Sequence, residues 1–157
     1  MMKALLFLLF VIVFYQDLKI RAVHWILFPL VFGISILYSL DEFQLFHLGA
    51  NVLFLILLLG SLTIYLSLRN GTLVNITKGF FSWGDILFLV AIIPLFNFTS
   101  FMLFFTVGTL LTVIVHMLAR LIVKQNETIP FAGYMALFTG LYLLFQPLFD
   151  PFIYLFV

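Results

Sequence analysis

Long runs of apolar residues alternate with short polar segments along the whole chain. The polar segments are centred on residues 16–24, 41–47, 69–84, 97–100 and 120–128. Six apolar runs lie around them, at roughly 2–16, 25–40, 46–68, 85–97, 100–119 and 129–147. The runs do not alternate apolar and polar positions as the strands of a membrane β-barrel would. The pattern predicts six helices, and we expect the short first and fourth to extend into the flanking polar segments.

The composition predicts what surrounds these helices. Of the 157 residues, 66% are hydrophobic and only 8% are charged. A protein dissolved in water could not cover this much apolar surface with so few charged groups. A helix needs about 20 apolar residues to cross roughly 30 Å of hydrocarbon, so this chain has room for six spans and short connections. We therefore predict an all-α, polytopic membrane protein with a single domain over residues 1–157.

Lysine and arginine are distributed unevenly among the connections. The first, third and fifth connections hold Lys19, Arg21, Arg69, Lys78, Arg120 and Lys124, whereas Lys3 alone lies on the opposite side. By the positive-inside rule these three connections are cytoplasmic and both termini face outward. A miscounted span would scramble this asymmetry, so it supports the count of six. Residues 151–157 are too short to cross again, and we expect them to form an interfacial tail.

Other function classes find little support in the sequence. The formal net charge is +1 and the chain has no cysteine, so nothing indicates a nucleic-acid partner or a thiolate metal site. His47 and His116 lie in different spans without an acidic ligand nearby, which favours packing or interface positions over metal binding. His24 is interpreted as an interfacial residue, with tuning of Asp17 as the alternative. We predict no metal and no cofactor.

The acidic residues are the first candidates for chemistry, because charges at membrane depth are costly and tend to be functional. Four of them fall in predicted loops or in the C-terminal tail, where solvation explains them: Asp41, Glu42, Glu127 and Asp150. A substrate contact is the alternative for Glu127. Asp17 ends the first span and Asp85 opens the fourth, so the predicted topology puts both at the cytoplasmic edge of the hydrocarbon. Helices one and four can therefore bring the two carboxylates together.

Two close carboxylates can divide the work of hydrolysis. They cannot both ionise easily, so one keeps a proton while the other stays charged. The ionised member takes a proton from a water that attacks the scissile carbonyl, and the protonated member polarises that carbonyl. Two structural alternatives stay open. Ser82 and Asp85 match a helix capping box, and Asp17 with Arg21 matches a helical salt bridge at spacing four.

Three stretches of the chain resemble a known family. They are Asp17-Leu18-Lys19-Ile20-Arg21, Trp83-Gly84-Asp85 and Ile129-Pro130-Phe131-Ala132-Gly133-Tyr134-Met135-Ala136-Leu137. In their order and placement they resemble the type IV prepilin peptidase family, the GxGD-type aspartyl peptidases of the inner membrane, over essentially the whole length. The resemblance implies that Asp17 and Asp85 are the catalytic pair and that Gly84 permits close backbone approach. It also implies that Pro130 and Phe131 line the substrate cleft.

The departures from this family refine the expectation. Ser82 stands where the family has its first motif glycine, and Val23-His24-Trp25 stands where Ile-Pro-Asn is usual. Longer bacterial members carry a cysteine-bearing cytoplasmic segment and an N-methyltransferase activity, so this chain resembles the short, peptidase-only members. The resemblance implies a multi-pass protein of the prokaryotic inner membrane. It would cleave the basic leader of a membrane-inserted, prepilin-like protein at the cytoplasmic face.

The alternative is a non-catalytic helical membrane protein, either a scaffold of pilus or secretion assembly or a small carrier. A carrier normally places ionisable residues or broken helices near the bilayer midplane. Spans two, three and six have no acidic or basic residue at mid-depth, which counts against a carrier. Pro94 in the fourth span is the only mid-span feature of the kind that a carrier needs. A degenerate peptidase acting as a scaffold would keep the same architecture. Lys19 and Arg21 would repel a basic leader, so we assign them to topology and phospholipid contact.

Overall fold

The computed structural model describes residues 1–40, 45–73, 76–78, 81–122 and 129–153. These residues form six α-helices and no strand: α1 (Met2–Ile20), α2 (Leu27–Tyr38), α3 (Leu45–Asn70), α4 (Trp83–Ile92), α5 (Phe98–Ile122) and α6 (Phe131–Ile153). Two short 3-10 helices lie at Ile76–Lys78 and Ile93–Leu95. The prediction of an all-α fold with six helices in this order is confirmed. The predicted loop residues Asp41, Glu42, Lys124 and Glu127 lie outside the described residues.

The ends of α1, α4 and α6 differ from the predicted boundaries. Helix α1 continues beyond residue 16 to Ile20, as expected for the short first run, so Asp17 lies inside the helix. Helix α4 ends at Ile92 rather than 97, because Pro94 has no N–H and the chain tightens into the 3-10 helix Ile93–Leu95. Helix α6 continues to Ile153, so the prediction of a separate tail from residue 151 is wrong at its start.

The helices pack around α1, α4 and α6. Helix α1 packs along α6 and against α2, α2 packs on α4, and both α4 and α5 contact α6. Phe10 of α1 and Phe88 of α4 are almost fully buried, and their rings meet edge to face at 6.1 Å. Helix α3 reaches the group through α5 and through the 3-10 helix after α4. Asp17 and Asp85 therefore lie on the elements that share the best-packed part of the core.

Helices α3 and α5 present large apolar side chains at the surface. Leu68 of α3 is 79% exposed and Leu121 of α5 is 83% exposed, and other leucine, isoleucine, valine and methionine side chains continue both surfaces. A helix facing water would carry polar residues on that side. By length and composition, two of the described helices, Leu45–Asn70 and Phe98–Leu121, can cross a membrane.

Candidate active site

The two predicted catalytic carboxylates meet at the first turn of α6. Asp17 comes from the last turn of α1 and Asp85 from the first turn of α4, and both are buried, with 8% and 7% of their surface exposed. The Gly133 amide donates to Asp17 Oδ2 at 2.6 Å, and the Ala132 amide donates to Asp85 Oδ1 at 2.9 Å. Consecutive Cα atoms are about 3.8 Å apart. The two aspartates, which are distant in sequence, are thus bound to neighbouring peptide groups.

The start of α6 favours this arrangement for a physical reason. The first amides of a helix have no partner within the helix, and they carry the positive end of its dipole. Here Phe131 donates to the Ile129 carbonyl at 3.0 Å, and Tyr134 donates to the Pro130 carbonyl at 3.1 Å. The amides between them, on Ala132 and Gly133, are satisfied by the two carboxylates. The sequence contained the stretch 129–137 but did not indicate that its backbone would join the pair.

Gly133 allows the backbone of α6 to come this close to Asp17. A Cβ atom at position 133 would lie 3.0 Å from both Cβ and Oδ2 of Asp17. At Gly84, to which we assigned the close backbone approach, a Cβ would lie 3.5 Å from Ser82 Oγ and 3.7 Å from Phe28 Cζ. These are ordinary contact distances. The tight approach to a carboxylate is therefore at Gly133, because α1 packs closely along α6, and not at the turn that opens α4.

The capping box at the start of α4 is confirmed. The Ser82 hydroxyl accepts from the Asp85 amide at 3.1 Å and donates to Asp85 Oδ2 at 2.8 Å. The Ser82 amide also donates to Asp85 Oδ2, at 2.7 Å. Because the cap uses Oδ2 and the α6 amide uses Oδ1, the two interactions coexist. The carboxyl group of Asp85 is consequently fixed from both sides.

Arg21 lies beside the other carboxylate. It follows α1 in a left-handed conformation with φ of 57°, and its amide donates to the Asp17 carbonyl at 3.1 Å. Asp17 interacts electrostatically with both Arg21 and Asp85. The salt bridge expected between Asp17 and Arg21 from their spacing of four stays a prediction.

The remaining predicted residues divide between the site and the surface. Pro130 is buried, and the ring of Phe131 meets that of Phe81 edge to face at 5.2 Å. Pro130 and Phe131 directly precede Ala132, whose amide binds Asp85, so they are apolar neighbours of the paired carboxylates. Their contact with a substrate stays a prediction. His24 is exposed, and its amide donates to Gln16 Oε1 at 3.0 Å. His116 is 3% exposed and its ring lies 6.4 Å from that of Tyr134, close to the site.

Comparison with family models, with curated proteins and with solved structures found no match for this chain. Within the described ranges, no three His, Cys, Asp or Glu side chains are grouped so that they could hold a metal ion. A function must therefore be argued from the site itself. Its chemistry is that of two buried, interacting carboxyl groups, which can act as a general acid and a general base.

Proposed function

We propose that this chain is a membrane aspartyl endopeptidase that removes the basic leader of type IV prepilin-like proteins at the cytoplasmic membrane face. The observation that carries the proposal is the meeting of Asp17 and Asp85 on consecutive amides of α6. Both carboxyl groups are buried, and each is oriented by hydrogen bonds. The resemblance of residues 17–21, 83–85 and 129–137 to the prepilin peptidases supports the same pair.

The membrane part of the proposal is supported by the surface of the fold. Large apolar side chains cover the exposed sides of α3 and α5, and these two helices are long enough to span. Trp25 and Trp83 are 69% and 68% exposed, and both lie at the predicted cytoplasmic edge, where tryptophan is enriched in membrane proteins. With the charge asymmetry of the connections, these features favour six spans with both termini outward.

In the proposed mechanism the two carboxyl groups share one proton. The ionised group takes a proton from a water molecule as the water oxygen attacks the scissile carbonyl carbon, and the protonated group donates a hydrogen bond to the carbonyl oxygen. Collapse of the tetrahedral intermediate breaks the C–N bond, and a proton passes to the leaving amine. The Ala132 and Gly133 amides keep the two side chains in place, so little reorganisation is needed during the reaction.

A non-catalytic scaffold is the second candidate, and one observation favours it. The same hydrogen bonds that orient Asp17 and Asp85 also satisfy the ends of α4 and α6, so both residues would have a structural role without any chemistry. In that case, the protein would use the fold to bind other membrane components of an assembly. The two candidates differ in whether a carboxylate, rather than any hydrogen-bond acceptor, is needed.

The peptidase proposal is tested by cleavage in membranes. Membranes containing the wild-type chain are mixed with a prepilin-like protein encoded in the same genome, and the product is weighed by mass spectrometry. We expect removal of the basic leader by the wild type and no removal by Asp17→Asn or Asp85→Asn. A folded wild type that leaves every prepilin-like protein uncut would favour the scaffold.

The proposed topology is tested with cysteines, because the chain has none of its own. Leu73 and Leu45 are 98% and 76% exposed and fall on opposite sides in the six-span arrangement. In intact cells, a membrane-impermeant thiol reagent should label Leu45→Cys and not Leu73→Cys, and both should react after the membrane is permeabilised. The reverse labelling would contradict the orientation.

A further inference from the structure

The buried face of α5 changes character along its length. It consists of Phe101, Phe105, Gly108, Thr112 and His116, which repeat every three or four residues, while the intervening positions are partly or fully exposed. Thr112 and His116 are 1% and 3% exposed, so the protein itself covers them. The face is thus aromatic at one end of the helix and polar at the end nearest the paired carboxylates.

Six buried side-chain nitrogen or oxygen atoms of the described residues have no hydrogen-bond partner: three lie on adjacent turns of α5, and the others are on Ser35, His47 and Asn51. Among the described residues, Thr112 Oγ1 and both ring nitrogens of His116 have no hydrogen-bond partner. Other helical threonines donate to a carbonyl one turn earlier: Thr109 to Phe105 at 2.6 Å, and Thr139 to Met135 at 2.7 Å. Thr139 is as deeply buried as Thr112, so burial alone does not prevent that bond. Three unsatisfied atoms on adjacent turns are costly, which points to a ligand.

His116 lies on the Asp17 side of the site. Its ring meets the ring of Tyr134 edge to face at 6.4 Å, and Tyr134 directly follows Gly133, whose amide is bound to Asp17. Arg21 interacts electrostatically with both Asp17 and His116, and Arg120 also acts on His116. The His116 end of this face therefore lies near Asp17, and Thr112 lies one turn further along α5.

We propose that Thr112 and His116 form a subsite that binds the main chain of the unwound substrate beside the scissile bond. This inference rests on the proposed peptidase function. A helical substrate must be locally extended before its peptide bond can be attacked, and its freed N–H and C=O groups then need partners at membrane depth. A neutral imidazole offers one donor and one acceptor, and a hydroxyl offers both as well. The subsite supplies what an extended peptide lacks.

The spacing of the two residues suits this role. Positions four apart on a helix are separated by about 6 Å along its axis. Residues i and i+2 of an extended chain, which direct their groups to the same side, are about 6.6 Å apart. Once the side chains that cover them in the free protein move aside, two polar groups on one face of α5 can therefore contact two successive same-side peptide groups of a strand-like segment. Because these atoms are unpaired in the free protein, hydrogen bonds that they form with a substrate would contribute to the free energy of binding.

Disulfide cross-linking tests the contact directly. Thr112→Cys and His116→Cys are compared with Val113→Cys and Met117→Cys, which lie on the same turns but are 39% and 64% exposed. The substrate is a prepilin-like protein with one cysteine beside its scissile bond, and the enzyme carries Asp85→Asn so that the substrate stays intact. We expect cross-links at 112 and 116 and none at 113 and 117. Equal cross-linking at all four positions, or at none, overturns the subsite.

Kinetics and stability separate a binding role from a structural one. Thr112→Val and His116→Leu each remove hydrogen bonds to the substrate, so KM should rise about fivefold while kcat changes less. Both replace unsatisfied buried groups by apolar ones, so the midpoint of thermal unfolding should stay the same or rise. His116→Gln retains a donor and an acceptor and should restore most of the loss. A lower midpoint with wild-type KM would instead mean that the residues only support the packing.

The outcomes distinguish this inference from the peptidase proposal. If the wild type cleaves its substrate while Thr112→Val and His116→Leu keep the wild-type KM, the subsite is wrong and the peptidase proposal stands. If a folded wild type cleaves no prepilin-like protein, the peptidase proposal falls, and the subsite falls with it.

Discussion

Side chains form hydrogen bonds with backbone groups near both ends of α4, but one of these side chains is ionisable and the other is neutral. At its start, the carboxyl group of Asp85 binds the Ser82 amide at 2.7 Å and the Ala132 amide at 2.9 Å. Past its far end, the side-chain amide of Asn51 donates to the Phe96 carbonyl at 3.0 Å. Asn51 is fully buried and Asp85 nearly so. One end thus uses an ionisable group, and the other a neutral amide.

This difference in charge bears on the choice between a catalytic and a structural role for the two aspartates. A neutral side chain satisfies a buried helix end without the desolvation cost of a charge. At the start of α5 the exposed Asn97 also acts as a neutral cap, since its Oδ1 accepts from the Ser100 amide at 2.8 Å. Two buried carboxyl groups beside each other add mutual repulsion to that cost. Because this fold uses asparagine at other helix ends, two buried carboxyl groups at this one favour the proposed acid–base role over a purely structural role.

The largest expected effect comes from replacing either aspartate by asparagine, the residue type that acts near the other end of α4. Asp17→Asn and Asp85→Asn keep an oxygen that accepts from the α6 amides, so the fold should survive. In Asp85→Asn an NH2 group replaces Oδ2, which accepts from the Ser82 amide, so this variant should unfold at a somewhat lower temperature than Asp17→Asn. Each variant loses the exchangeable proton, and cleavage should fall by about a thousandfold or more. The double variant should be no worse than either single one, because the carboxyl groups act as a unit. Initial rates, with thermal unfolding measured in parallel, check both statements.

A result near the wild-type rate for both single variants would contradict the aspartyl mechanism. It would mean that any hydrogen-bond acceptor suffices at this end of α4, just as a neutral donor, the side-chain amide of Asn51, satisfies the Phe96 carbonyl at the other end. Unfolding of both variants at much lower temperature would point to the structural role of the second candidate.

The next largest effect should come from Gly133, which sets the distance between α6 and Asp17. In Gly133→Ala the new Cβ would meet Asp17 Oδ2 at 3.0 Å, so the carboxyl group must move. A contact this short requires a shift of a few tenths of an ångström. Since a displacement of about 1 Å costs roughly a hundredfold in rate, we expect cleavage to fall by about tenfold. Gly140→Ala is the matched control, because it lies on the same helix pair and its Cβ would meet Phe7 Cδ2 at 3.2 Å. It should lower stability while the rate per folded molecule changes little.

The Asn51 end should show the opposite pattern. Asn51→Leu leaves the buried Phe96 carbonyl without its partner, and we expect the free energy of unfolding to fall by about 1–2 kcal/mol. Cleavage per folded molecule should be unchanged, since this end carries no chemistry. Denaturant unfolding in detergent together with rate measurements tests the separation. A lower rate at unchanged stability would show that the two ends are coupled.

The sequence predicts the helices well because apolar runs and charged connections are local signals. It also predicts which two acids share one end of the bundle. It does not predict that α6 joins them, because a bond between the Gly133 amide and Asp17 depends on how three helices pack. The early end of α4 had a visible cause in Pro94. The polar end of the buried face of α5 is not predicted: His116 is assigned to packing or an interface, although its spacing of four from Thr112 puts both on one helical face.

The smallest expected effect, from Ser82, separates capping from catalysis at one residue. Ser82→Ala and Ser82→Gly both remove the hydroxyl that bonds the Asp85 amide and Oδ2, but both keep the residue 82 amide that donates to Oδ2. Asp85 also keeps the Ala132 amide, so cleavage should fall by no more than about fivefold, the equivalent of one neutral hydrogen bond. Stability should fall by about 1 kcal/mol in the alanine variant and by only a few tenths in the glycine variant. Equal rates with unequal stabilities would mean that the hydroxyl serves the helix and the carboxyl group serves the reaction. A hundredfold loss in both variants would instead place the hydroxyl within the catalytic machinery.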